Sequence, residues 1–224
     1  MKKTSEFEQT ANTKIKENLR KYYNEESQLR DNSEKSDWKL AVRQDFCDLI
    51  RKKNKKTLLE IGAGAGYDSL YFMDCGMKVV AIDLSKEMVK RCIEKGIEAY
   101  ELDFYNLSSL SSFGCQAEKF DCVWAMNTLL HVPKVDLPTV LSEIKGILAK
   151  NGLFYMGVYG GVDSENEYLL EEISDAPRFF SYYSRENLES LLAEHFRIIS
   201  FEQFEIMRKG ETHIFQSVVL ENLE

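Results

Sequence analysis

Two long stretches carry apolar residues at helical spacing before any strand-like run begins. In residues 6–24 the positions are Ile15, Leu19, Tyr22 and Tyr23, and in 36–53 they are Trp38, Leu40, Ala41, Phe46, Leu49 and Ile50. The polar stretch NEESQLRDNSEKSD predicts a connector between these helices. From Lys56 the period changes. Short apolar runs (TLLEI, KVVAID, IEAYEL, FDCVWAMN) predict strands, and helical segments near 66–75, 85–95 and 136–149 stand between most of them. Strands alternating with helices imply parallel βαβ crossovers. GLFYMGVY at 152–159 predicts a fifth strand. Beyond it a polar, irregular stretch at 160–176 leads into the aromatic RFFSYYS and a helix over 185–194. FRIISFEQFEIM and THIFQSVVLE, separated by RKGE, then read as an antiparallel hairpin. The pattern predicts a single α/β domain with a helical extension over 1–53, a core over 56–160, and a closing segment with its hairpin over 160–224.

Composition narrows the setting. A chain of 224 residues with 44% hydrophobic and 29% charged side chains can build one sizeable core. No apolar run approaches the roughly 18–20 residues of a membrane span, and the basic start MKKTSEFEQTANTKIKENL lacks the apolar centre of a secretory signal. Five cysteines form no CxxC pair, and Cys75, Cys92 and Cys122 sit in apolar periodic segments. The expectation is reduced, buried thiols in a cytoplasmic protein without membrane contact, monomeric or homodimeric. The three histidines, His131, His195 and His213, have no partner at ligand spacing, so no metal site is predicted. A net charge of −8 disfavours broad phosphate-backbone binding. The basic run RKKNKK at 51–56 reads as a solvated helix end complementing the helix dipole, with a nucleic-acid patch as the alternative.

Ligands of open α/β sheets bind beyond the carboxyl ends of the strands, and here each apolar run ends in a hydrogen-bonding side chain. The first run delivers Glu60, Gly62, Gly64 and Gly66; the second ends at Asp83, followed by Leu84; the third at Asp103 and Phe104; the fourth at Asn127. Gly62 and Gly64 permit a tight turn and close backbone approach to a ligand, and Gly66 permits close helix packing. Asp83 stands 21 residues after Gly62, the separation at which an acid meets a ribose diol. A dinucleotide fingerprint would place glycine where Tyr67 stands, and a pyrophosphate would be repelled by Glu60. A ligand with an ammonium and a sulfonium would be attracted. S-adenosylmethionine has both, with an adenosine and no phosphate.

LLEIGAGAG, VVAIDLS, ELDF and FDCVWAMNTLLHVP resemble, in order and spacing over about residues 56–160, the successive motifs of class I S-adenosylmethionine-dependent methyltransferases. The resemblance implies a Rossmann-like, seven-stranded, mostly parallel sheet with a C-terminal antiparallel hairpin. It implies a cofactor-binding set of Glu60, Gly62, Ala63, Gly64, Gly66, Asp83, Leu84, Met88, Asp103, Phe104, Asn127 and Leu129. In that set Asp83 would hold the ribose hydroxyls and Asp103 would meet the adenine amino group. Phe104 and Leu84 would border the adenine ring, and Asn127 and Leu129 the methionine portion. The segment RFFSYYSRENLESLLAEHFRII is similar, more loosely, to small-molecule members of the family.

Each of these residues also has an ordinary structural reading. Asp103 alone suits a helix N-cap, Phe104 and Leu84 suit core, and His131 is either a general base or a structural histidine. Tyr22, Tyr23 and Trp38 fit an amphipathic core face or a lid over the cofactor. Tyr159, Arg178, Tyr182 and Tyr183 cluster where a substrate pocket would lie, though packing also explains such aromatics. Asn127 leads into TLLHVP and not into an NPPY-like tetrapeptide, which together with the acidic charge favours a small-molecule acceptor methylated on O, N or S. The alternatives are a tRNA-modifying methyltransferase, a non-catalytic cofactor sensor or scaffold, and a nicotinamide oxidoreductase, which Tyr67 and Glu60 disfavour.

Overall fold

The computed structural model describes residues 2–30, 36–208 and 210–224. Its centre is a seven-stranded sheet built from β1 (Thr57–Ile61), β2 (Lys78–Asp83), β3 (Glu98–Glu101), β4 (Phe120–Met126), β5 (Leu148–Gly160), β8 (Arg197–Arg208) and β9 (Glu211–Glu221), in the order β3-β2-β1-β4-β5-β9-β8. The first five strands pair in parallel. β9 pairs antiparallel with both β5 and β8, as the terminal hairpin predicts.

The central strands are largely apolar because both faces are covered. Leu58, Cys122, Trp124, Leu153 and Tyr155 point to one face, where they meet α2 (Asp37–Lys52) and α3 (Tyr67–Asp74). Their neighbours Leu59, Val123, Ala125, Phe154 and Met156 point to the other, against α5 (Leu137–Ile147) and α6 (Arg185–Ala193). A period of two therefore feeds two cores. On the first face Trp124 stacks on Tyr155 with ring centroids 3.9 Å apart, and Phe46 and Phe72 pack against the same indole. Its N–H donates to Asp68 Oδ2 at 3.1 Å, and Asp68 Oδ1 accepts from Arg43 at 2.9 Å, so this buried carboxylate is paired twice.

Several expectations are corrected. The first helix, α1 (Lys2–Arg30), extends well beyond residue 24 and absorbs the start of the predicted connector, whose residues 31–35 lie outside the described residues. Glu26 pairs with Arg30 one turn later, which extends the helical ladder. Between β3 and β4, where the sequence pattern assigns no element, lies a 3-10 segment, Phe104–Phe113. The stretch after β5 is not irregular: β6 (Ser164–Leu170) and β7 (Ser174–Tyr182) form a separate antiparallel pair. Cys75 is not a free thiol. It is joined to Cys47, because α2 packs beside the end of α3, a contact invisible in sequence spacing; Cys92, Cys115 and Cys122 are free and buried. In the basic run, Arg51 and Lys52 fill the last turn of α2, Lys53 pairs with Glu221 at 2.7 Å, and Lys55 donates to the Asn151 carbonyl. No helix among the described residues is long and apolar enough to cross a membrane.

Candidate active site

The carboxyl edge of β1, β2 and β4 opens into a cavity. Ile61 ends β1 and the chain turns through Gly62, Gly64 and Gly66, all with positive φ (69°, 55° and 81°). These glycines are not equivalent. A Cβ on Gly62 would lie 2.2 Å from Thr128 Oγ1, and one on Gly66 would lie 2.5 Å from Ile97. Gly62 thus admits Thr128, whose hydroxyl ties the turn to the Ile61 carbonyl at 3.0 Å. Gly66 lets the start of α3 sit against Ile97. Gly64 meets nothing and faces the open cavity.

Asp83 at the end of β2 braces the turn. One carboxylate oxygen accepts from the Gly64 N–H and the other from the Ser85 N–H, both at 2.8 Å. Burial raises its pKa, and these backbone donors oppose the shift. A carboxylate has about four acceptor positions, so Asp83 retains capacity toward a ligand. Ser85 caps α4 (Lys86–Glu94) by accepting from the Met88 N–H. Glu60, buried beneath the turn, accepts from the Ser69 hydroxyl. Asn127 closes β4 in a left-handed conformation, φ 55°, that asparagine tolerates better than most residues. Its side-chain oxygen is buried without a hydrogen-bond partner.

Over this edge lies α1. Leu19 and Tyr22 are buried, and Leu19, Tyr23 and Arg30 line the cavity. Asn24 accepts from the Ser85 hydroxyl at 2.7 Å, and Asn12 donates to Asp136 at 2.8 Å, which pins the helix at two points. Tyr23 meets His131, with the hydroxyl 2.5 Å from Nε2, while His131 Nδ1 lies 2.6 Å from the Phe179 carbonyl. A carbonyl only accepts, so Nδ1 carries the proton. Burial, reinforced by the charges of Arg178 and Arg30, pushes the imidazole pKa down to about 3. The ring is therefore neutral at pH 7, and Nε2 accepts from Tyr23 O–H.

The edge brings together much of the predicted set: Glu60, Gly62, Ala63, Gly64, Asp83, Leu84, Met88, Phe104, Asn127, His131 and Tyr23 all line the cavity. Gly66 stands behind the loop. Asp103 caps the 3-10 segment through the Tyr105 N–H and pairs with Lys16 of α1 at 2.7 Å, away from the lining. Leu129 is buried core. Trp38 packs on Phe215 at 4.5 Å, Tyr159 on Phe215 and His213, Tyr182 on Phe180, and Tyr183 under Lys134. Arg178 lies over the rings of Tyr22 and Phe180, one layer behind Tyr23. Sequence reasoning missed Thr128, Asp68, Arg30 and Lys39. Thr128 follows the flagged Asn127 directly, whereas Arg30 lies within the stretch read as a polar connector and Lys39 is a polar position between the periodic Trp38 and Leu40.

The lining suits a cationic ligand. Its acids are Glu60, Asp68 and Asp83, and the partnerless Asn127 oxygen is a further acceptor. At the glycine turn a pyrophosphate would face Glu60 and Asp83, whereas Asp68 is already paired with Arg43. The ammonium, sulfonium and ribose of S-adenosylmethionine are groups that the acceptors of Glu60, Asp83 and Asn127 could hold.

Comparison with known proteins agrees. Residues 59–156 match the family described as "Methyltransferase domain". A "Ubiquinone biosynthesis O-methyltransferase" of Haemophilus ducreyi is 31% identical over 106 residues, 45% of this chain and 44% of that one. The chain thus spans about half the length of the curated relatives it matches. Among solved structures, 1,6-didemethyltoxoflavin-N1-methyltransferase of Burkholderia thailandensis, with bound 1,6-didemethyltoxoflavin and S-adenosylhomocysteine, superposes with a TM-score of 0.62 at 20% identity, covering 82% of this chain and 79% of that one. A DhpI-SAM-HEP complex gives 0.66 at 17% identity, covering 91% and 97%. Through residues 59–156 the chain is similar to the methyltransferase-domain family, and its fold is that of the solved methyltransferase structures on which it superposes.

Proposed function

We propose that this protein methylates a small-molecule acceptor from S-adenosylmethionine, with oxygen the foremost nucleophile. The observation that carries the reading is the acid-lined cavity at the strand ends, with the buried, partnerless Asn127 oxygen in its wall. The name of the Haemophilus relative supports oxygen over nitrogen or sulfur. When bound, S-adenosylmethionine supplies an electrophilic methyl group on a positively charged sulfur.

The chain's own task is to hold two reactants in near-attack geometry and keep water out. Gly64 brings backbone close to the ligand, Asp83 receives ribose hydroxyls, and Glu60 and Asn127 face the positive methionine end. In this reading α1 is a lid: Leu19, Tyr23 and Arg30 roof the cavity and restrict the acceptor to a small molecule. His131 acts as a positioning residue. Its lone pair is committed to the Tyr23 hydroxyl, which orients that hydroxyl at the cavity roof.

Calorimetry with S-adenosylmethionine tests the assignment. Asp83→Ala is expected to weaken binding by about 1–3 kcal/mol, the loss of hydrogen bonds to a charged acceptor. Unchanged affinity in a folded variant would remove the ribose role.

A further inference from the structure

Asn24 belongs to α1, yet its side chain completes the start of α4. Ser85 opens that helix, and its hydroxyl oxygen accepts from the Met88 N–H. The Glu87 N–H of the same turn donates instead to Asn24 Oδ1 at 3.3 Å. An N–H only donates, so the atom that the Asn24 amide turns toward α4 is its oxygen. That oxygen also accepts from the Ser85 hydroxyl at 2.7 Å. A helix start leaves several N–H groups without partners inside the helix. Here one is met by the helix's own cap and another by α1, 63 positions earlier in the chain.

Ser85 passes this contact on. It is fully buried, and each of its polar groups has a partner. The carbonyl accepts from the Val89 N–H, the hydroxyl serves Met88 and Asn24, and the backbone N–H donates to Asp83 Oδ1 at 2.8 Å. Asp83 Oδ2 accepts from the Gly64 N–H, also at 2.8 Å. Hydrogen bonds thus run without a break from α1 through Ser85 to Asp83 and the glycine turn. Without the Asn24 oxygen, a buried hydroxyl and a helix-start N–H lose their acceptor, a cost that the first turn of α4 relieves by shifting. That turn carries the Ser85 N–H and also Met88, which lines the cavity. α1 acts on Asp83 in a second way. Burial pushes the Asp83 pKa up, the Ser85 and Gly64 N–H groups oppose the shift, and the charge of Arg30 opposes it with them.

Resting on the cofactor-binding reading above, we infer that Asn24 is a positioning residue for S-adenosylmethionine: with α1 seated it fixes Ser85, and Ser85 holds the Asp83 carboxylate in the orientation that receives the ribose hydroxyls. The cofactor site is therefore complete only when α1 is docked, and one side chain joins the roof of the cavity to its floor. A roof that merely covers the ligand through Leu19, Tyr23 and Arg30 would act independently of Asp83, so the two routes differ in a measurable respect.

Calorimetric titration with S-adenosylhomocysteine of wild type, Asn24→Ala, Asp83→Ala and the double variant forms a double-mutant cycle that separates the routes. Asn24→Ala is expected to weaken binding about fivefold, the worth of one hydrogen bond. Where Asp83 is already alanine, the same change is expected to cost less than about twofold, because the carboxylate it positions is gone. Should Asp83→Ala not fold, the cycle closes on the ligand side, with S-adenosylhomocysteine and its 2′,3′-dideoxy analogue. Wild type is then expected to bind the dideoxy analogue more weakly, and Asn24→Ala to bind that analogue as well as wild type does. Equal losses in both backgrounds, or for both ligands, assign the effect of Asn24 to the roof and overturn the proposal, as does undiminished binding in Asn24→Ala. Wild-type affinity in folded Asp83→Ala, or for the dideoxy analogue, overturns it together with the ribose role. No binding to wild type at all overturns the cofactor reading on which it rests.

Discussion

Gly62 and Gly64 both hold left-handed φ, yet their substitutions carry different penalties. Alanine at either position must adopt a backbone region that costs roughly 1–2 kcal/mol for an L-residue. At Gly64 nothing opposes the new methyl group inside the protein, so stability should fall by about that amount and cofactor affinity should fall with it. At Gly62 the methyl would collide with Thr128, which adds about 1–3 kcal/mol of overpacking. Urea unfolding of the two variants checks the order. Gly62→Ala matching Gly64→Ala would mean that Thr128 yields freely and does not brace the turn. The role of Gly62 was thus only partly legible in sequence: the tight turn could be inferred, but the colliding partner is 66 residues away.

At the scale of elements, α1 is the distinctive part of the site. It touches α4 through Asn24 and Ser85, α5 through Asn12 and Asp136, and β7 through Lys21 and Asp175. The Lys21–Asp175 pair is an exposed contact of a kind that typically contributes little, and β7 holds α1 chiefly through buried Arg178 over the Tyr22 ring. Asn24→Ala removes the acceptor of both the Ser85 hydroxyl and the Glu87 N–H and should loosen the helix at a cost of about 1–3 kcal/mol. Limited proteolysis should then cut within α1 faster than in wild type, and cofactor should slow the cutting. Identical cleavage of both proteins, with and without cofactor, would separate α1 from cofactor binding. The parallel strands were readable because buried runs such as FDCVWAM carry apolar side chains to both faces. The β6–β7 pair was not, because Ser164–Leu170 is largely exposed and polar, with no two-residue period to announce a strand. The length of α1 was obscured similarly, its last turns being polar and held by contacts such as Glu26 with Arg30.

Across the whole molecule, the buried neutral His131 links stability to pH. Its folded pKa of about 3 lies below the ordinary value of 6.5, so between these values the unfolded chain binds a proton that the folded chain refuses. Stability is then complete above about pH 6.5 and declines as pH falls toward 3. His131→Asn, which keeps a donor toward Phe179, should flatten the dependence of Tm on pH between about 6.5 and 4. An unchanged slope would assign the acid sensitivity to carboxylates. The same scale shows what a linear reading can and cannot reach. Glu60, the glycines, Asp83 and Asn127 each end an apolar run, so their convergence follows from the order of parallel strands. Arg30, Lys39 and Arg178 meet near one roof only through the packing of α1, α2 and β7, which no local pattern encodes. Isothermal titration of the protein with S-adenosylmethionine tests most directly whether the acid-lined strand edge holds that ligand. Saturable binding of one equivalent is expected, competed by S-adenosylhomocysteine and weakened in Asp83→Ala; no binding of either ligand to folded protein would contradict a cofactor site at this edge.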